Sequence, residues 1–315
     1  MNPKKIRLRF STLVQQLEWY SFLLPTLVCL LMLCYLPVFQ AVKYSFSSVT
    51  TTGFETTYVG FHNYIKLLQS PRFLNAIKNT LILGLYSLVS IPLGFLLASA
   101  LQNLGKNKTQ SFFRVMFYMP NIITGVSVVL MFQYILLQDG GLLNSFLSLF
   151  VKGDVHIGWL VDKHFSKIAV TFIAAWRGVG YCMLISLAGL QAIPLEIYES
   201  ADIDGASKRQ RLRYITFPCM VPTFTFLIVT RMISGLARFD DLYMLGGTSG
   251  SPTYSLQTLI MYVYQYSFSS VSPNYGMSSA AAMIFFVVVF VTTLANLKIT
   301  NFGNERDHKR RLRRR

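Results

Sequence analysis

The sequence predicts an all-α membrane protein of six transmembrane helices with both termini on the inner side and one polar helix–turn–helix hairpin between spans four and five. Three observations predict it. Only 13% of the 315 residues are charged and 53% are hydrophobic, where a soluble domain carries about 25% charge. Runs such as 22–42, 81–101 and 280–297 are apolar for close to the length that crosses the hydrocarbon layer. The basic residues are also distributed very unevenly along the chain.

Residues 1–19 hold Lys4, Lys5, Arg7 and Arg9 and read as a basic cytoplasmic amino terminus. Span one covers about 20–42, with Pro25 and Pro37 near its ends. It is too long for a signal-peptide core and lacks a small-residue cleavage site, so it reads as a retained anchor. A polar, aromatic outer loop, 43–79, leads to span two at 80–101. A short basic loop with Lys106, Lys108 and Arg114 precedes span three, about 117–137, entered through Met119-Pro120. A second outer loop reaches residue 166 and span four covers 168–190. Span five is read at 223–237, a long outer loop at 239–275 and span six at 277–297, ahead of a basic cytoplasmic tail, 301–315.

With this topology the inner segments hold 19 of the 29 basic residues and the two large outer loops hold 7, although the inner segments are much shorter. That asymmetry sets both termini inside. It also accounts for most of the +16 net charge, so the tail reads as a solvated or lipid-headgroup-facing segment, with no nucleic-acid partner implied. The remaining three cations, Arg177, Arg231 and Arg238, fall within or at the end of spans. Cys29, Cys34, Cys182 and Cys219 lie in or beside apolar runs and read as small apolar fillers.

The segment 193–222 is the only long charge-dense stretch between apolar runs, and its charge keeps it out of lipid. Glu196 through Ile203 suit one short helix, Gly205 a turn, and Ser207 through Ile215 a second helix stopped near Pro218 and Pro222. Glu199-Ser200-Ala201, Asp204-Gly205-Ala206 and Ile215-Thr216-Phe217-Pro218 together resemble the EAA loop of ABC importer permeases, closest to the carbohydrate-uptake permeases of the maltose and glycerol-phosphate type. Val59-Gly60-Phe61-His62-Asn63-Tyr64, Phe113-Arg114 with Phe117-Tyr118-Met119-Pro120, Gly141-Leu142-Leu143-Asn144 and Ala188 through Pro194 extend the resemblance over almost the whole chain. Ser200 replaces an alanine of the motif and Phe217 a leucine.

The resemblance implies a type I importer permease domain over 20–300, with 193–218 as the loop that docks in a cleft of a cytoplasmic ATPase subunit. Glu199 would anchor to a basic group or to backbone amides of that partner. Asp204 and Gly205 would form the turn, and the small Ala201 and Ala206 would admit close helix approach. It further implies a second homologous permease, two copies of the ATP-binding subunit, an extracytoplasmic solute-binding protein and surrounding lipid as partners. No GxxxxGK[ST] motif is present, so no ATP cofactor is expected in this chain; ATP belongs to the partner. No catalytic set or metal-ligand spacing appears, and an enzyme is not expected.

The sequence places a candidate transport path on two spans. Arg231, Ser234, Gly235 and Arg238 recur at i, i+3, i+4 and i+7, one helical face. Intramembrane ionisable groups are functional candidates, since lipid exposure is costly. The family resemblance carries sugar contacts onto Arg177, Gly178, Tyr181, Arg231, Ser234, Gly235 and Arg238. Arginine at three of these suits carboxylate or phosphate, so an acidic sugar (uronate, sialate or sugar phosphate) stands beside a neutral one. In the neutral case Arg238 pairs with Asp240 or Asp241 and the other two snorkel or pair across a subunit interface. Tyr254, Tyr262, Tyr264, Tyr266 and Tyr275 read as an outer face toward the binding protein, or as an interfacial aromatic belt. An ion-driven secondary transporter is the alternative, which would call for intramembrane carboxylates and inverted repeats.

Overall fold

The computed structural model describes residues 20–49, 56–105, 107–151, 153–269 and 273–312, with the side chains of 269 and 299–312 left aside. The basic amino terminus 1–19, together with Lys106 and Lys152, lies outside these residues. Helix α1 is Tyr20–Ser45. A two-stranded antiparallel hairpin follows, β1 (Ser47–Ser48) with β2 (Thr57–Tyr58), then α2 (His62–Gln69). The chain continues through α3 (Pro71–Asn103), α4 (Lys108–Ile122), α5 (Gly125–Ile135), α6 (Leu142–Ser148) and α7 (Lys163–Gln191). The polar hairpin is α8 (Leu195–Ile203) and α9 (Lys208–Arg211), followed by α10 (Phe217–Leu236), α11 (Asp240–Gly246), α12 (Leu259–Tyr264) and α13 (Tyr275–Leu312). Among the described residues five helices are long and apolar enough to cross a membrane, or six if the bent pair α4–α5 is one span.

Three expected boundaries change. Span three is not one straight helix: α4 and α5 meet at 93°. Pro120 weakens the last turn of α4, Ile123 turns extended, and Thr124 caps α5 by accepting from the Ser127 N–H. Apolar periodicity is blind to such a bend, because both limbs remain apolar. Helix α3 starts at Pro71, nine residues before the apolar run, because Ser70 caps it and Pro71 is preorganised for the first turn. Pro218 and Pro222 do not stop the hairpin's second helix. A π turn, Leu212–Thr216, joins α9 to α10, and the helical path runs on through Pro218 and Pro222.

Helix α7 is the hub, packed against α3, α4 and α10. Asp162 caps it by accepting from the His164 and Phe165 N–H groups, and those two bonds hold its carboxyl below the usual carboxylate range. Against α3 the approach is so close that a Cβ on Gly94 would lie 2.5 Å from Cys182 Cβ and 2.7 Å from the Met183 nitrogen. Close backbone approach through small residues is how helices associate where lipid removes the hydrophobic drive between them. Cys182 is therefore a true core filler, whereas Cys29, Cys34 and Cys219 sit on exposed helix faces. An apolar run alone cannot tell core from lipid-facing surface.

The loops around α2 and α6 are organised by buried amides. Asn63 donates to the Ser45 and Ser47 carbonyls at 3.0 Å each and pins α2 to the end of α1. Asn144 donates to Gln138 and Ile157 and accepts from Trp159 Nε1 at 2.8 Å. Both motif asparagines thus serve the fold. Tyr262 is likewise core, 1% exposed and edge-on to Phe73, which removes it from any outer docking face.

Gly94→Val is expected to destabilise the protein by roughly 1–3 kcal/mol, since backbone of α7 rather than a flexible side chain stands in the way. Chemical unfolding in detergent checks this, with Leu96→Ala on the exposed face of the same helix as the near-neutral control.

Candidate functional site

Six of the seven residues expected along the transport path line one cavity of about 180 Å³: Arg177, Gly178, Arg231, Ser234, Gly235 and Arg238. Ser87, Asn121, Ala174 and Asp241 complete its wall. Arg231, Ser234 and Gly235 share one face of α10 opposite the Arg177–Gly178 turn of α7, whereas Arg238 falls beyond the end of the helix at Leu236 and lines the cavity from the following loop. Tyr181, one turn further along α7, does not reach the cavity and packs beside Ile91, Cys182 and Leu227. Ser87 and Asn121 carried a weak signal in the sequence, each a polar residue inside an apolar run. Asp241 was legible only as one of two neighbouring acids.

The three guanidinium groups are held differently. Arg231 donates from Nε to Ser90 Oγ at 3.1 Å. The rest of its guanidinium lies over Gly178, where a Cβ would come within 2.3 Å of Nη2. Ser87 Oγ donates 2.9 Å to the Arg231 carbonyl and ties that turn of α10 to α3. Arg177 Nη1 sits beside the first residue of α5, 3.5 Å from where a Gly125 Cβ would be. Its Nε is buried with no hydrogen-bond partner among the described residues. The N-terminal N–H groups of α5 add positive potential at the same place.

Arg238 is the paired one, and its partner is Asp241 and not the exposed Asp240. Nε donates to Asp241 Oδ2 at 3.1 Å, and Nη2 donates to the same oxygen and to the Val170 carbonyl of α7 at 3.1 Å. Each side chain of the pair is 10% exposed. Removing one member of so buried a pair typically costs several kcal/mol, because the other charge is left unpaired. Two cations, Arg177 and Arg231, remain without a carboxylate partner among the described residues.

At the opposite end of α7 and α10 lies the polar hairpin. Its turn is a Schellman motif: Ala206 N–H donates to the Ala201 carbonyl at 2.9 Å and Gly205 N–H to Asp202 at 3.1 Å. Gly205 has φ +71, which glycine adopts without strain. A capping box between Ser207 and Gln210 starts α9, and Arg211 pairs with Asp202 across the turn. Tyr198 Oη and Thr216 Oγ1, 2.9 Å apart, fasten α8 to the foot of α10. Ala201 is buried between the two helices, Ala206 is half-buried, and Glu199 and Asp204 are exposed. Sequence reasoning did not single out two exposed apolar side chains of α8, Leu195 at its start (74% exposed) and Ile203 at its end (88%).

Comparison with known proteins gives the family and the fold. The family model described as binding-protein-dependent transport system inner membrane component matches residues 90–299. The chain is 32% identical over 282 residues to the multiple sugar-binding transport system permease protein MsmF of Streptococcus mutans, covering 89% of this chain and 94% of that one. A bacterial ABC transporter involved in import of the acidic polysaccharide alginate superposes with a TM-score of 0.80 at 26% identity, over 93% of this chain and 98% of that one. A bacterial alginate ABC transporter, in complex with a periplasmic protein carrying an alginate pentasaccharide, superposes with a TM-score of 0.78, over 91% and 95%. With its apolar helices, its glycine-turned hairpin and these matches, the chain is a multi-pass protein of the bacterial cytoplasmic membrane and belongs to the binding-protein-dependent transport system inner membrane components, the permeases of carbohydrate-uptake ABC importers.

Proposed function

We propose that this chain is one of two permease subunits of an ATP-driven importer that moves an acidic saccharide through the cavity between α7 and α10. The observation that carries the acidic reading is the cavity itself, which holds three arginines against one aspartate. A guanidinium presents a planar fork matched to carboxylate and phosphate, and two of the three here have no acidic partner among the described residues. The likeness to importers of alginate, an acidic polysaccharide, supports the same class. The substrates considered are uronate-containing oligosaccharides, sialic-acid-like sugars and sugar phosphates.

At about 180 Å³ the cavity is smaller than the roughly 300–1,000 Å³ that holds a small-molecule ligand. In this proposal it is a half-site, completed by a second permease packed on the exposed side. The domain spans 20–300, crosses the membrane six times with α4–α5 as a broken third span, and keeps both termini in the cytoplasm, as the basic inner segments require. An extracytoplasmic solute-binding protein delivers the sugar; the alginate complex with its periplasmic protein supports that partner.

Two copies of a cytoplasmic ATPase supply the energy, one of them seated on the hairpin. Leu195 and Ile203 enter its cleft, Glu199 anchors there, and Ala201, Asp204, Gly205 and Ala206 keep the turn tight. The π turn makes α9 and α10 one continuous helical rod, so a push on the hairpin displaces the helix that carries Arg231 and leads into Arg238. The conformational work is thus delivered to the cavity without any catalytic group in this chain.

Uptake by the reconstituted complex tests this reading. Arg231→Gln should lower uptake of an acidic sugar at least about tenfold, as expected when one buried charge-assisted contact is lost. Unchanged uptake with normal assembly would sink the acidic reading in favour of a neutral sugar. Gly178→Ala should give a similar loss with little change in unfolding temperature, because only the flexible end of Arg231 has to move. Gly205→Val, strained at its left-handed φ, should uncouple ATP hydrolysis from transport while binding-protein docking persists. ATP-independent uptake driven by an ion gradient would overturn the importer assignment.

A further inference from the structure

We propose that Asp241 is the internal counter-ion of the cavity: its carboxylate occupies the Arg238 guanidinium until an anionic group of the substrate exchanges for it. This rests on the acidic-saccharide reading above. Both residues line the cavity, and both side chains are 10% exposed. The pair is not saturated as a purely structural ion pair would be. Arg238 Nη1 is buried with no partner among the described residues, and Asp241 Oδ1 receives only a long contact of 3.5 Å from Nε. Asp240, the adjacent acid, is exposed, so the inward position belongs to Asp241.

The geometry explains why exchange is required. A carboxylate binds a guanidinium most strongly along one edge, through two parallel N–H donors. The Nε–Nη2 edge of Arg238 is taken by Asp241, and Nη2 also serves the Val170 carbonyl. Only Nη1 is left, and its two N–H groups diverge, so it offers a newcomer no parallel pair. Edge-on capture therefore requires Asp241 to leave. Arg177 and Arg231, whose positive potential draws the anion in, line the same cavity.

Departure of Asp241 has a second effect. Asp241 lies in the first turn of α11, which packs on α5, and its bond to Arg238 fastens α11 to α10 and, through Val170, to α7. The Arg238 carbonyl also accepts from Thr258 Oγ1 at 3.4 Å, so the loop between α11 and α12 meets the same residue. Exchange of the counter-ion loosens α11, and cavity occupancy is felt in the outer loop.

The test uses the assembled complex in lipid nanodiscs, titrated by calorimetry with glucuronate, trigalacturonate, N-acetylneuraminate and glycerol 3-phosphate, with maltotriose as the uncharged control. Asp241→Asn should bind the preferred anion about tenfold more tightly, equivalent to ~1.4 kcal/mol of relieved competition, and leave maltotriose unaffected. Hydrogen exchange over 240–246 should rise in the unsubstituted complex when that anion binds, and should already be raised in Asp241→Asn without it. An anion bound with equal or lower affinity by Asp241→Asn overturns the exchange and leaves the acidic reading standing. Binding of maltotriose alone, or of none of the anions, overturns both. Where Asp241→Asn fails to assemble, the unsubstituted complex decides by itself: a bound anion with unchanged protection of 240–246 overturns the proposal.

Discussion

A guanidinium group cannot be left in hydrocarbon, and the interior of this bundle is arranged around three of them. Arg231 needs Gly178 to lie against and Ser90 to donate to. Arg238 needs Asp241 and the Val170 carbonyl. Arg177 is placed at the bend where α4 gives way to α5, and the bend opens the space its side chain enters. Each accommodation restricts a different helix, so α3, α5, α7, α10 and α11 are all positioned by where positive charge can be tolerated. A straight third span or a larger residue at 178 would fill the space the arginines occupy.

The same economy of polar contacts governs the end of the bundle opposite the hairpin. Asn79 is fully buried and donates to the Tyr254 and Gln257 carbonyls while accepting from Lys167 Nζ at 2.8 Å. Arg72 donates to Gln257 and Gln265 and lies 4.3 Å over the Tyr254 ring. The long loop after α11 is thereby a packed element bound to α3 and α7, continuous with the residues that close the cavity from outside. Its tyrosines divide accordingly. Tyr262 is core and Tyr254 is a partly exposed platform for Arg72.

The hairpin at the other end achieves stiffness by local means. The Schellman turn satisfies the last carbonyls of α8, the capping box satisfies the first donors of α9, and the Tyr198–Thr216 contact ties both to α10. Little of its rigidity depends on the bundle. Such an element can receive force from outside without unfolding, and its direct continuation into α10 leads toward the arginines.

What the sequence by itself determined is what depends on short-range periodicity and charge. The long apolar runs, the hairpin with its glycine turn and the inward face of α10 were all legible, because helical spacing and the cost of charge in lipid are local rules. Arg231, Ser234 and Gly235 line one cavity for that reason, while Gly178 was legible only through the family resemblance. What only the tertiary structure decided depends on distant approach: the choice of Asp241 over Asp240, the exclusion of Tyr181, and the entry of Ser87 and Asn121 from other helices. None of these follows from residue order, because each is settled by which neighbouring helix supplies, or denies, a partner for a polar group that lipid cannot satisfy.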